Sequence, residues 1–227
     1  RLLAVHIKAF DTAVSLTNIP LSSNNAPYVS IARQDLYEIL LSKCLTNSLV
    51  NFMDARVLAI TSKNNHTRLA LDTGEIITAP IIIGADGWDG KTRHFISPSA
   101  RQKNSGYSIY RGIFPASKVP AGFSYPDVQL WLGNSCHLVS YPIQNSQAVN
   151  FVFAFSERAF ESHSIDAIFC NHPVLSMLGE YTRNWYLTPI KQFDSLSNWR
   201  RGGITLIGDA AHPMPPHLAQ GAGQSFM

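Results

Sequence analysis

The chain has 227 residues, 45% of them hydrophobic and 15% charged, with a formal net charge of +3. That balance excludes a disordered chain, and the mixing of basic and acidic residues leaves no nucleic-acid footprint. The apolar runs are too short to span a bilayer, and three scattered cysteines without a C-x-x-C support neither a zinc site nor a disulfide framework.

In chain order, residues 1–10 read as a strand and 15–27, rich in Asn, Ser and Pro, as irregular chain. From Arg33, Leu36, Ile39, Leu40 and Cys44 recur at helical spacing and predict an amphipathic helix. A short strand at 55–60 precedes a hairpin at 67–79, with Asp72-Thr73-Gly74 as its turn. The run "PIIIGADG" is apolar at successive positions, which predicts a strand buried on both faces of a parallel sheet. Four strands separated by turn residues follow, at 107–114, 127–133, 136–143 and 148–155, with Asn145-Ser146-Gln147 inside a hairpin connection. Residues 164–181 read as helix interrupted near Pro173, and "GGITLIGDAAH" returns to the buried-strand pattern. The order predicts two discontinuous domains, 31–98 with 196–227, and 1–30 with 99–195. The chain does not begin with Met, which fits a fragment or a processed product.

Both buried strands end in Gly and Asp, at Asp86 and at Asp209. In open α/β sheets ligands bind beyond the carboxyl ends of the strands. A carboxylate there accepts hydrogen bonds from sugar hydroxyls, and glycine lets a ligand approach the backbone. "QGAG", 220–223, would add free N–H groups at a helix start. One such strand end is an ordinary turn; two in one chain favour a cofactor site.

On these residues the chain resembles the FAD-dependent aromatic-ring monooxygenases of the salicylate hydroxylase type. "IIGADGWDGKTR" is similar to their DG motif, closing on Arg93, and "LIGDAAHPMPPHLAQGAGQ" to their GD motif. "RQDLYEIL" resembles an Arg-x-x-Leu helix start, and Tyr110-Arg111-Gly112 an aromatic-Arg-Gly signature. Gly90 and His217 depart from the pattern, and no GxGxxG occurs, so the resemblance implies a fragment that lacks that unit and binds FAD weakly by itself.

The resemblance implies an α/β fold: a partial, Rossmann-like FAD-binding domain (31–98 and 196–227) with an antiparallel β-sheet substrate domain (1–30 and 99–195). It implies FAD as cofactor, NAD(P)H and O₂ as co-substrates and a small phenolic or benzoate-like substrate. It further implies a cytoplasmic location, with a homodimer as an open possibility. Arg33, Asp86, Asp209, Gly221, Ala222 and Gly223 would contact FAD. Val57 would touch adenine through its backbone, or be a plain core valine. Pro216 would turn its carbonyl to the flavin. His137 and Tyr141 share one face of a strand by alternation and would bind substrate or relay its proton, or form an ordinary sheet pair. A ubiquinone-pathway-type hydroxylase or epoxidase, or a truncated non-catalytic remnant, are the alternatives. No metal cluster or Ser/His/Asp constellation stands out.

Overall fold

The computed structural model describes residues 1–21, 27–63, 66–120, 123, 126–160, 165–170, 172, 176, 178, 185–218 and 221–226. The chain divides into two compact units, Arg1–Val50 with Gly106–Pro189, and Asn51–Ser105 with Ile190–Met227. Residues 31–50, assigned from sequence to the cofactor domain, thus group with the first unit.

The first unit is built on a seven-stranded sheet of order β11-β7-β10-β9-β8-β1-β2. Its strands are β1 (Ala4–Ala9), β2 (Ser15–Pro20), β7 (Gln102–Pro115), β8 (Val128–Leu132), β9 (Cys136–Ile143), β10 (Ala148–Ser156) and β11 (Tyr186–Phe193). All pairings with a defined register are antiparallel except β1 with β8. The β9–β10 connection turns through Gln144, Asn145 and Ser146 at φ 51°, 52° and 65°, three consecutive left-handed residues. A two-residue side-chain period then sorts the sheet into two faces.

One face is an aromatic core. Trp131, Leu138 and Phe153 form one cross-strand row, and Phe151 lies in the next. All four are buried, with Phe10, Phe114, Phe155, Phe169 and Trp185 packed around them. Phe10 stacks on Phe153 at 5.7 Å, and Phe169, from the helix α3 (Ile165–Cys170), meets Trp185 edge-on at 5.2 Å. Aromatic rings suit this face because each buries a large area.

In the second unit, β6 (Ile82–Gly84) runs parallel to β13 (Ile204–Leu206), which pairs with β12 (Arg200–Arg201). A separate antiparallel sheet holds β3 (Val57–Lys63), β4 (His66–Leu71) and β5 (Ile76–Ala79), with Gly74 at φ 87° in the β4–β5 turn. Helix α2 (Lys91–Ile96) follows β6, and α4 (Gly221–Ser225) follows β13.

Several expectations need correction. Ser15–Pro20 is a strand, not irregular chain: backbone pairing with β1 outweighs poor propensity at an exposed edge, where a terminal proline costs no ladder bond. Tyr186–Phe193, which the sequence analysis does not assign, is the opposite edge strand, where the Pro189 inside it costs least. The helix α1 (Arg33–Leu45) forms but buries none of its residues, and Leu36, Tyr37, Ile39, Leu40, Leu41 and Leu45 spread around the cylinder rather than forming one apolar stripe. The strand β6 is parallel as expected, yet Ile81 and Ile83 are 72% and 63% exposed, so one face is open among the described residues. Helix α3 ends at Cys170, and Pro173 lies outside the described residues.

Gly112 shows how tightly the aromatic face is packed. A Cβ there would fall 2.6 Å from the Phe114 ring, which folds back over the glycine. Gly112→Ala should therefore lower unfolding stability by about 1–3 kcal/mol through overpacking. Urea denaturation of the two chains measures this, and equal midpoints would contradict it.

Candidate active site

The second face of the seven-stranded sheet is only partly covered. His137, Val139 and Tyr141 project from it along β9, all half-buried. Across the ladder His137 is level with Ala154, Val139 with Val152, and Tyr141 with Asn150. Alternation along β9 therefore puts the imidazole and the phenol on one face, on either side of a valine.

Tyr141 packs against a small cluster of Ala32, Ile143 and Ala148. The chain entering α1 crosses this end of the sheet, where the Ser30 hydroxyl donates to the Pro142 carbonyl. Burial pushes the Tyr141 phenol above its ordinary range, and the Arg111 guanidinium acts weakly in the opposite sense. Near neutral pH the phenol keeps its proton and is a donor.

The other expected residues lie in the second unit, apart from Arg33, the exposed first residue of α1. Asp209 is exposed, in the single 3₁₀ turn Gly208–Ala210 that follows β13. Gly208 takes φ 55°, the left-handed conformation that suits glycine. Gly221, Ala222 and Gly223 open α4, and a Cβ built on either glycine meets nothing within 4 Å. The first-turn N–H groups of this helix have no helical acceptor. Val57 is half-buried at the start of β3 and paired with Leu71, which leaves open both readings made of it. Pro216 starts a 3₁₀ turn, Pro216–Leu218, and His212 lies 5.3 Å from Trp199, ring to ring.

Asp86 has a structural task. Its carboxylate accepts the Thr92 N–H at 3.0 Å and the Thr92 hydroxyl, tying the end of β6 to the start of α2. Gly90 is needed beside it, because a Cβ there would overlap the carboxylate. Thr92, next to Arg93, supplies the hydroxyl at this junction.

Arg93 is the group whose role the sequence did not disclose. It is 3% exposed, and its guanidinium donates to the carbonyls of Ala210 at 2.8 Å, Ala211 at 3.2 Å and Asp194 at 3.1 Å. Two of these carbonyls directly follow Asp209, so Arg93 holds the turn that carries it. Burial lowers the guanidinium's pKa and the Asp194 carboxylate opposes the shift. Arginine starts so high that it stays charged. A shallow cleft beside it is lined by Trp88, Asp89, His94, Arg101 and Phe193. Apart from Arg93, no residue proposed from sequence reaches that cleft.

Among the described residues no helix is long and apolar enough to cross a membrane, and no group of His, Cys, Asp or Glu could hold a metal ion.

A family model described as FAD binding domain matches residues 5–226. The chain belongs to that family. It is 28% identical over 230 residues to 3-hydroxybenzoate 6-hydroxylase 1 of Aquipseudomonas alcaligenes, which covers 95% of this chain and 58% of the relative. It is 33% identical over 215 residues to a 3-amino-4-hydroxybenzoate 2-monooxygenase of Streptomyces platensis, covering 88% of this chain and 52% of the relative. The chain thus spans little more than half the length of these relatives. Among solved structures a salicylate hydroxylase substrate complex superposes with a TM-score of 0.78 at 20% identity, covering 97% of this chain and 60% of that one. At that identity the likeness establishes the fold: sheet-dominated α/β, with antiparallel sheets.

Replacing Arg93 with Met keeps bulk but orphans two buried carbonyls, at about 1–3 kcal/mol each. Arg93→Met should therefore destabilise the chain by about 2–6 kcal/mol and expose residues 208–212 to proteolysis; Arg93→Lys should fall between. Denaturant melts with mapped cleavage sites test this, and a wild-type midpoint for Arg93→Met would refute it.

Proposed function

We propose that the protein carrying this chain hydroxylates a small aromatic substrate, phenolic or benzoate-like, with FAD as cofactor and NAD(P)H and O₂ as co-substrates. A cytoplasmic location and a homodimer complete the reading made from sequence. The observation that carries it is the pair His137 and Tyr141 flanking Val139 on the half-open sheet face, in a chain of the FAD binding domain family. The relatives' names, a 3-hydroxybenzoate 6-hydroxylase and a 3-amino-4-hydroxybenzoate 2-monooxygenase, support an aromatic acid.

The residues present fit FAD. Asp209, exposed after a parallel strand, would accept hydrogen bonds from the sugar-alcohol hydroxyls. The N–H groups of Gly221, Ala222 and Gly223, with open space at both glycines, would meet phosphate. Arg33 would add a cation, Val57 a backbone contact to adenine, and Pro216 a carbonyl toward the ring system. Asp86 would act chiefly by holding the strand–helix junction, with 31–98 and 196–227 as the cofactor-binding parts. When bound, FAD would carry the reducing equivalents taken from NAD(P)H and activate oxygen with them.

This chain's own task is to bind the ring and manage its proton. Val139 and Val152 form an apolar floor that excludes water. Tyr141, held protonated by burial, donates a hydrogen bond to the substrate oxygen. His137 is then the group able to take the phenolic proton, which makes the ring more nucleophilic.

In the flavin-loaded protein, Asp209→Ala should weaken FAD binding about ten- to a hundredfold, as expected for loss of a charged acceptor worth about 1.5–3 kcal/mol. A mutant purified with full flavin content and unchanged affinity would refute this. His137→Ala and Tyr141→Phe should leave flavin content alone and lower product formed per NAD(P)H consumed, with hydrogen peroxide released instead. A lost general base would cost about 10²–10⁴-fold and a positioning contact less. Wild-type coupling and substrate affinity in both mutants would make the pair ordinary sheet packing.

A further inference from the structure

The strand register carries one step beyond this reading, on which it rests. Val139, between His137 and Tyr141, is level with Leu130 on one side and Val152 on the other. Leu130 is level with Ile7, and Val152 with Arg111. Residues in register project from the same face. The row therefore reads Ile7, Leu130, Val139, Val152, Arg111: four apolar side chains ending in a guanidinium.

Arg111 is exposed, and among the described residues no carboxylate pairs with it. It stands two strands from β9, and His137 and Tyr141 lie one side-chain repeat above and below its level. With strands about 4.8 Å apart and a rise of about 3.4 Å per residue, its Cα is about 12 Å from each. The three residues thus mark a triangle on one face of the sheet, around Val139 and Val152, on the scale of one substituted ring with its contacts. The influence of Arg111 on the Tyr141 phenol is in keeping with their sharing one environment.

We propose that Arg111 anchors the carboxylate of an aromatic acid substrate and so decides which edge of the ring meets His137 and Tyr141. A guanidinium suits this task because its planar fork matches a carboxylate with two parallel hydrogen bonds, which a lysine ammonium does not reproduce. Among the phenolic and benzoate-like substrates of that reading, this selects ring acids that also carry a phenol.

Equilibrium binding of the three monohydroxybenzoates and of the matching uncharged hydroxybenzamides tests this on the full chain. The wild type should bind at least one acid about tenfold or more tighter than its amide, as a charge-assisted pair predicts. Arg111→Gln should weaken that acid about ten- to a hundredfold and its amide far less, so the acid-to-amide preference collapses. Arg111→Lys should recover part of it. Retained amide binding shows that the variant is folded. A wild type with no preference for acids, or a preference unchanged in Arg111→Gln, overturns the proposal. The parent reading is tested separately by Tyr141→Phe and His137→Ala, which should weaken acid and amide alike. If they change neither while Arg111→Gln still removes acid binding, the anion site stands and the assignment of the pair falls.

Discussion

A single buried guanidinium organises the second unit. Arg93 reaches from the first turn of α2 to carbonyls on two other segments, at Asp194 and at Ala210–Ala211. Those carbonyls sit where chain leaves a strand and cannot continue a ladder, so something must satisfy them once they are buried. One planar cation with several donors does so at once, and its burial is tolerable because each bond is charge-assisted. Asp86 and Thr92 fix α2 to the end of β6, and through Arg93 the same helix fixes the turn after β13. The two parallel strands and the two loops beyond them are thereby one object, and Asp209 is displayed on it. The DG and GD motifs need each other for this reason: the arginine of the first is the hydrogen-bond donor of the second.

The first unit is organised by alternation. The side of the sheet that carries Phe151, Phe153 and Trp131 is closed by rings, and the side that carries His137, Tyr141 and Arg111 is left half-open. These are consequences of one another. A sheet packed on both faces would present no surface to a ligand, and one packed on neither would not be stable. The aromatic face supplies rigidity, so that polar side chains on the opposite face can be held at fixed spacing by backbone register alone. Gly112 belongs to this arrangement, since the ring of Phe114 occupies the space a side chain would need. Its neighbour Arg111 projects to the other side of the same strand, so the Tyr-Arg-Gly signature joins a packing constraint to a polar group on the open face.

Much of this is legible in the sequence where a local rule is sufficient. The strands at 107–114, 128–132, 136–143 and 148–155, the hairpin at Asp72–Gly74, the start of α1 at Arg33 and the parallel character of the two Gly-Asp strands follow from periodicity and turn residues. Local rules are insufficient where a partner strand decides. Ser15–Pro20 and Tyr186–Phe193 each contain a proline and exist as edge strands because a well-formed neighbour offers free backbone groups. In α1 helical spacing specifies the helix but not one apolar face, since its apolar residues point in several directions and none is buried.

The sequence by itself determined the family, through two motifs whose glycines and aspartates are required at strand ends, and it determined that His137 and Tyr141 share a face, since alternation along one strand is a local property. It could not say that Arg111 is level with Val139, because register between strands distant in sequence depends on turns and on a bulge-free ladder through β10. Nor could it say what Arg93 does. A charged residue one turn into a helix reads as surface, and only the folding together of segments more than one hundred residues apart encloses it with the carbonyls that justify its burial. Local chemistry is written along the chain; which side chains meet across it is settled by packing, which minimises unsatisfied polar groups over the whole unit at once.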